Sequence, residues 1–379
     1  MAPVVGMVGA GQLARMTAQA AVALDVRLRV LASDPADSAT AVAAEVVLGA
    51  PDDPDGLAAL AKGADAVTFD HELVEPALIQ ALERDGALVR PGSGVIAVVI
   101  DKRRQREALA GLGAPQPEHR VVGSREEMAA FGEAHGWPLV LKAARGGYDG
   151  RGVWVAAGID EAAAVLDEAH GRGLVLLAER HVAMDCEVAV VVARRPSGEA
   201  VAYPVVQTVQ RDGMLRELRY PAPVSHALAG EARRLALDVA ERLGVVGLLA
   251  VELFVEDGAL LVNELAARPH NSGHASIEGC VTSQFANHLR AVLDWPLGAT
   301  DAVAPAFALV NVVGPADGSD PAGRLPAALA VPGLAALPYR CACKPGRKLG
   351  HVTVVGDDLD EVTARARRGA AILHGEETA

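Results

Sequence analysis

Glu252 and Glu264 carry the clearest chemical signal in the chain. Leu248 to Val255 reads as a strand with Glu252 in its middle. Asp257-Gly258 is a turn dipeptide, and Ala259 to Val262 reads as the returning strand, ending at Asn263-Glu264. Such a hairpin sets two carboxylates side by side in apolar sequence, where their charge must be balanced. A structural salt bridge would balance it. So would magnesium, which takes oxygen ligands and uses one or two carboxylates plus substrate phosphates, with Asn263 as a third oxygen donor. Leu265-Ala-Ala-Arg-Pro-His-Asn-Ser-Gly-His274 follows directly. Arg268, His270 and Asn271 in one loop suit an anion undergoing chemistry beside a γ-phosphate, where fixed donors stabilise developing charge.

A second stretch points the same way. Leu139-Val140-Leu141 delivers Lys142 from a strand, and Gly146, Gly147, Gly150 and Gly152 follow before Val153-Trp154-Val155 resumes. Glycines let backbone N–H groups approach a ligand closely. The pattern fits a flap over nucleotide phosphates or a glycine-rich hairpin bearing surface charge. It is not the usual phosphate loop, whose lysine follows the glycines.

The elements that must position these residues alternate strand and helix. Val4 to Val8 reads as a buried strand, and Gly9-Ala-Gly-Gln-Leu-Ala14 has the G-x-G-x-x-A form that opens a dinucleotide-binding helix. Arg27 to Ala32 is a second strand ending at Ser33-Asp34, where an acid could meet a ribose; a tight turn without ligand also fits. Pro54 and Pro76 mark first helical turns. Between those helices Ala66 to Phe69 leads into Asp70-His71-Glu72, which makes Glu72 a candidate substrate contact beyond a strand end. Residues 94–113 read as one helix with Asp101-Lys102-Arg103-Arg104 on a solvated face. Ser124 to Glu127 is a capping box opening a helix to His135. Leu174 to Ala178 is a strand ending in Glu179-Arg180-His181-Val182. Val188 to Val192 is a central strand with Glu187 at its start. Tyr203 to Val209 and Leu215 to Tyr220 pair around Asp212-Gly213. Ala227 to Leu243 is a helix capped by Gly244.

At 379 residues, 51% of them apolar, the chain is long enough for two or three domains with a sizeable core. No apolar run approaches the ~18–20 residues of a membrane span, and no basic-then-apolar leader is present, so a cytoplasmic protein is expected. A net charge of −13 argues against a general nucleic-acid binder. Cys186, Cys280, Cys341 and Cys343 lack a zinc spacing and read as buried free thiols.

Lys102, Lys142, the glycine flap, Glu179 to Val182, Glu187, Glu252 and Asn263-Glu264 together resemble an ATP-grasp ligase. Gly9 to Leu13, Gly146 to Gly152, Asn263 to His274 and Lys344-Pro-Gly-Arg-Lys-Leu-Gly-His351 resemble the 5-(carboxyamino)imidazole ribonucleotide synthases of purine biosynthesis. The resemblance implies an α/β chain with an N-terminal doubly wound (pre-ATP-grasp) domain at 1–98 and an ATP-grasp domain at 99–295, its flap subdomain at about 120–180. A small C-terminal α+β domain would occupy 296–379.

It also implies an ATP-dependent ligase that carboxylates an aminoimidazole ribonucleotide with bicarbonate, by way of carboxyphosphate. Lys102, Lys142 and the flap from Gly147 to Val153 would cover the ATP phosphates. Glu179, Arg180, His181 and Val182 would flank adenine, with main-chain contacts from Glu179 and Val182; Glu187 would hold the ribose. Gln207 stands where the family often has a histidine near ATP. Asn263, Glu264 and Glu252 would serve ATP and magnesium. Arg268, His270 and Asn271 would hold bicarbonate. Tyr148, Asp149, Arg151, Gln12, Leu13 and Glu72 would meet the imidazole nucleotide, and Lys344, Arg347 and Lys348 its 5′-phosphate. A homodimer is the implied assembly. The rival expectations are another ATP-grasp ligase, such as a formate-using glycinamide ribonucleotide enzyme, a dinucleotide-dependent oxidoreductase built on Gly9 to Ala14, and a binding protein without turnover.

Overall fold

The structure, a computed structural model, describes residues 2–147 and 150–376. Tyr148 and Asp149, expected in the flap, lie outside the described residues. Among those described, the strands fall into three sheets.

The first contains β1 (Val4–Val8), β2 (Arg27–Ala32), β3 (Glu45–Leu48) and β4 (Ala66–Phe69), all parallel in the order β3-β2-β1-β4. Helices Gln12–Ala23, Pro54–Ala61 and Pro76–Arg84 connect or flank them. The near-continuous apolar runs of β1 and β4 fit strands covered on both faces. Pro54 and Pro76 do open helices. This is the doubly wound unit expected.

Residues 94–113 are not one helix. Ser93–Val99 ends at Ile100, and Asp101 caps a second helix, Lys102–Leu112, its carboxylate accepting from Arg103 N at 3.0 Å. The basic run is not simply a solvated face either, because Arg106, one turn on, is 97% covered.

The second sheet holds β5 (His119–Val122), β6 (Leu139–Ala143), β7 (Val153–Ala156) and β8 (Leu176–Arg180), antiparallel in the order β5-β8-β6-β7. Helices Arg125–His135 and Ile159–Gly171 pack Met128, Phe131, Ala162 and Leu166 against Leu139, Leu141 and Ala178. The β6–β7 register pairs Lys142 with Val153, so the glycine stretch is the connection of a hairpin.

The third sheet is continuous from the central strands into the C-terminal ones. It comprises β9 (Cys186–Arg194), β10 (Ala200–Ala202), β11 (Val206–Arg211), β12 (Met214–Tyr220), β13 (Gly247–Glu256), β14 (Ala259–Ala266), β15 (Ala306–Val313), β16 (Leu334–Pro338) and β17 (Lys348–Gly356). Their order is β14-β13-β9-β11-β12-β15-β17-β16, with β10 on β9. Pairing of β12 with β15 carries the sheet across residue 295. The strand expected from Tyr203 begins only at Val206.

One face is closed by helix His226–Arg242, whose Ala232, Ala236 and Val239 meet Val188, Val190 and Val192, and by helix Leu359–His374 over Val352 and Val354. Each fully buried Val or Leu contributes about 1.5–3 kcal/mol relative to exposure. The other face carries Glu187, Glu252 and Glu264. Gly244, at φ +68, turns the chain after the first of these helices. Among the described residues the four cysteines are free, Cys280 buried and the others half-buried, and no helix is long and apolar enough to cross a membrane.

Candidate functional site

The β13–β14 hairpin turns at Asp257 and Gly258, both at positive φ, and its register places Glu252 opposite Glu264, with a bulge between Glu252 and Leu253. On the neighbouring β9, Glu187 faces Phe254, two residues along the same face as Glu252. Burial, then the charges of Glu264 and Glu187, push the Glu252 carboxyl up to about 7. Burial also raises Glu187. Glu264 differs: burial opposes its ionisation, but Lys102 Nζ at 2.5 Å outweighs that and holds its carboxyl below the usual range. Three acids thus share one face, and Lys102 bonds only the Glu264 end of it. The set suits a dication better than a salt bridge. Among the described residues no group of three or more His, Cys, Asp or Glu has metal-cage geometry. Two carboxylates completed by phosphate oxygens is the magnesium pattern that remains, and Glu252 and Glu264 fit it.

Lys142 reaches across from β6. Its Nζ donates to Asn263 Oδ1 at 2.9 Å and lies 2.7 Å from Glu179 Oε2. Arg106 completes the cluster, its guanidinium 2.6 Å from Glu179 Oε1 and donating to Val262 O and Asn263 O. The Glu179 side chain is only 2% exposed. Burial alone would raise its carboxyl, yet Lys142 and Arg106 bring it down to about 2. Beside the main-chain role expected of it, Glu179 has a side-chain role that the sequence did not suggest. Its backbone is mid-sheet, paired with both β5 and β6, and its carboxylate is the hub that joins the small sheet to β14. Arg180 ends β8 and is fixed by Glu118 and Glu256, and the chain leaves the sheet at His181 and buried Val182. Sequence reasoning missed Arg106; its i+4 spacing from Lys102 was the available signal.

Gln207 is also corrected. It faces Val188 and Arg219, whereas Thr208 faces Glu187, so Gln207 points to the sheet face away from the acids. Gln210, two residues along the same face as Thr208, also bonds Glu187. Thr208 and Gln210 are the residues to read there.

β14 runs directly into the loop expected to hold an anion. Arg268 Nε donates to Glu72 Oε2 at 2.6 Å, and Ala267 N donates to Glu72 Oε1 at 3.0 Å. Glu72 therefore has both oxygens engaged in orienting Arg268 and tying the first sheet to the loop, which departs from a free substrate contact. His270 Nδ1 accepts from Ser272 N, so Nε2 carries the proton and faces Glu252 Oε1 at 3.6 Å. Burial, with Arg268 and Lys348 nearby, pulls His270 down to about 3, so it is a neutral donor. Gln284, fully buried, accepts from His270 N and donates to His270 O, clamping the loop from helix Gln284–Val292. A Cβ on Gly273 would lie 2.4 Å from Gln284 Oε1, which is why glycine stands there.

The glycine turn after β1 is filled from within. Asp70 Oδ2 accepts from Gly11 N at 2.6 Å, and a Cβ on Gly9 would lie 2.0 Å from Asp70 Oδ1. The carboxylate takes the place a dinucleotide pyrophosphate needs at that helix N-terminus, so the oxidoreductase reading loses its site. Asp34 is exposed and bonds its own turn at Ala36 N. Leu13 packs against Met16, Phe285 and Tyr339, so its side chain is core, with Gln12 half-buried beside it.

The C-terminal motif divides. Lys344 and Arg347 are exposed on a turn fastened to Gly314, whose N–H donates to Arg347 O at 2.7 Å. Lys348 belongs with the anion loop, since its charge acts on Glu252, His270 and His274. In the flap, Gly147 and Gly152 close the hairpin base, and Gly150 meets the β11–β12 turn. A Cβ on Gly150 would lie 2.9 Å from Gly213 Cα, and only paired glycines permit that approach. Arg151 lies beside Gly150, and Val153 is exposed at the start of β7.

A glycine hairpin beside Lys142, paired acids on a facing sheet and an anion loop after them define an ATP-grasp ligase. Residues 107–285 match the ATP-grasp domain, residues 1–100 the ribonucleotide synthetase preATP-grasp domain, and residues 308–365 the phosphoribosylaminoimidazole carboxylase C-terminal domain. The N5-carboxyaminoimidazole ribonucleotide synthase of Mycobacterium tuberculosis is 46% identical over 100% of this chain and 90% of its own length; that of Corynebacterium ammoniagenes is 42% identical over 97% and 91%. The Aspergillus clavatus enzyme, solved in complex with ADP and 5-aminoimidazole ribonucleotide, superposes at TM-score 0.90 with 31% identity over 98% of both chains. The Thermus thermophilus enzyme does so at 0.87 with 35% identity over 99% of both. The chain belongs to the N5-carboxyaminoimidazole ribonucleotide synthase family.

Proposed function

We infer that this chain catalyses ATP- and bicarbonate-dependent carboxylation of 5-aminoimidazole ribonucleotide at its exocyclic amine, releasing ADP and phosphate in purine biosynthesis. The observation that carries the reading is the continuity of β14. The strand that presents Glu264 to Glu252 runs within four residues into Arg268, so nucleotide acids and an anion loop abut.

A bicarbonate oxygen attacks the γ-phosphorus, the bond to the β-phosphate oxygen breaks, and ADP leaves. Carboxyphosphate then breaks its C–O bond to give CO2 and phosphate. The substrate amine adds to CO2, and its proton passes to the phosphate formed in place. Lys142 and Lys102 hold ATP phosphates, with Gly147, Tyr148, Asp149, Gly150, Arg151, Gly152 and Val153 as the covering flap. The segment from Arg180 to Val182 borders adenine, and Glu187, set by Thr208 and Gln210, holds ribose hydroxyls. Glu252 and Glu264 hold Mg2+, with Asn263 beside them; the ion supplies charge neutralisation on phosphoryl oxygens. Arg268, His270, Asn271 and Lys348 hold bicarbonate. Glu72 orients Arg268, while Arg151, Tyr148 and Asp149 face the imidazole nucleotide. Lys344 and Arg347 meet its 5′-phosphate, Arg through its planar fork.

The same reading divides the chain at 98 and 295 and expects a cytoplasmic homodimer. Sedimentation showing only single chains would remove the dimer from it. The function is tested by ADP release with each component omitted in turn. Full turnover is expected only when bicarbonate, the aminoimidazole nucleotide, ATP and Mg2+ are all present. ADP release indifferent to both bicarbonate and the nucleotide would overturn the reading.

A further inference from the structure

Asn271 opens a short turn, Asn271–Gly273, and Gln284 clamps that turn through His270 and His274. None of those bonds sets which end of the Asn271 carboxamide faces the anion. That choice is made from outside the ATP-grasp motifs. Asn311, in the middle of β15 and 1% exposed, donates through Nδ2 to Leu215 O on β12 at 2.9 Å and to Asn271 Oδ1 at 3.3 Å. A backbone carbonyl can only accept, so Leu215 O fixes the NH2 end of Asn311. Asn311 in turn draws the oxygen of Asn271 toward itself. Asn271 Nδ2 is left pointing the other way, buried and, among the described residues, without a hydrogen-bond partner. With the amide reversed, two NH2 groups would face each other and an oxygen would be offered to an anion.

Buried donors are nearly always satisfied, so an orphan of this kind marks a place for an acceptor. We propose that Asn311 is a positioning residue: it locks the Asn271 carboxamide with its NH2 toward bicarbonate, so that the C-terminal strands take part in the carboxylation step. The proposal rests on the reading of Asn271 as an anion ligand and goes beyond it.

Asn311→Leu removes both donors while keeping the branching at Cγ, in a larger side chain. It is expected to raise the KM for bicarbonate by about tenfold, the scale of one oriented neutral hydrogen bond, with the KM values for ATP and the aminoimidazole nucleotide within twofold of the parent. In an Asn271→Ala background the same change should add nothing, because Asn311 acts only through Asn271. Asn311→Ser, which keeps one donor in a smaller side chain, is expected to give an intermediate bicarbonate KM and serves if the Leu variant does not fold. Asn271→Ala raising the bicarbonate KM while both Asn311 variants leave it unchanged would overturn the positioning role alone. Equal losses for all three substrates, or full additivity with Asn271→Ala, would do the same by marking Asn311 as structural. An Asn271→Ala variant with an unaltered bicarbonate KM would overturn the anion-site reading itself, and this proposal with it.

Discussion

Arg268→Ala is expected to lower kcat/KM for bicarbonate by about 10²- to 10³-fold, the scale of losing one preorganised donor to a developing oxyanion, while ADP binding survives. The guanidinium is held by Glu72 at 2.6 Å and by Pro269 O at 3.0 Å, so two of its five donors orient the group. Glu72 also raises the Arg268 pKa against the opposing effect of burial, so the cation is permanent. Its charge costs no reorganisation when bicarbonate becomes carboxyphosphate. Steady-state kinetics with bicarbonate varied, beside ADP binding by calorimetry, check this. A parallel loss of ADP affinity would place Arg268 in the nucleotide site instead, and unchanged activity would remove it from the anion site.

Glu179→Ala is expected to destabilise the fold by about 3–5 kcal/mol, because it strands two buried cations. Arg106 and Lys142 have side chains 3% and 8% exposed, and Glu179 is the acid they share. The pH dependence follows. With a folded pKa near 2, below that of an unfolded glutamate, the contribution of Glu179 is fully present above about pH 4.5 and is lost as pH falls through about 2. Denaturant unfolding at neutral pH and along an acid series measures both quantities. In Glu179→Gln, this group's part of the acid destabilisation should disappear. A loss under about 1 kcal/mol for Glu179→Ala would mean that water reaches the cluster.

How far the sequence speaks depends on how local the determining interaction is. Asp257-Gly258 announces its own hairpin, so the Glu252–Glu264 pair was legible. The same is true of Lys142 before its glycine loop and of the Arg268 loop after Glu264. Asp70 fills the Gly9–Gly11 turn from 59 residues away, and no local pattern warns that this fingerprint is occupied. Arg106 sits in a charge run whose spacing does not say which face meets β8 and β14. Gln207 illustrates parity: alternation along β11 puts Thr208 and Gln210, not Gln207, on the face of the acids, and only the pairing with β9 says which parity that is. Adjacent Arg347 and Lys348 likewise part company at the start of β17, one exposed and one beside His270.

The central claim is that bicarbonate, held at Arg268, His270 and Asn271, attacks the γ-phosphate before any carbon reaches the amine. Turnover with 18O-labelled bicarbonate tests it most directly, read by mass analysis of the phosphate released. One labelled oxygen is expected in each phosphate, delivered when carboxyphosphate breaks its C–O bond. Phosphate free of label, with carboxylated product still formed, would contradict it.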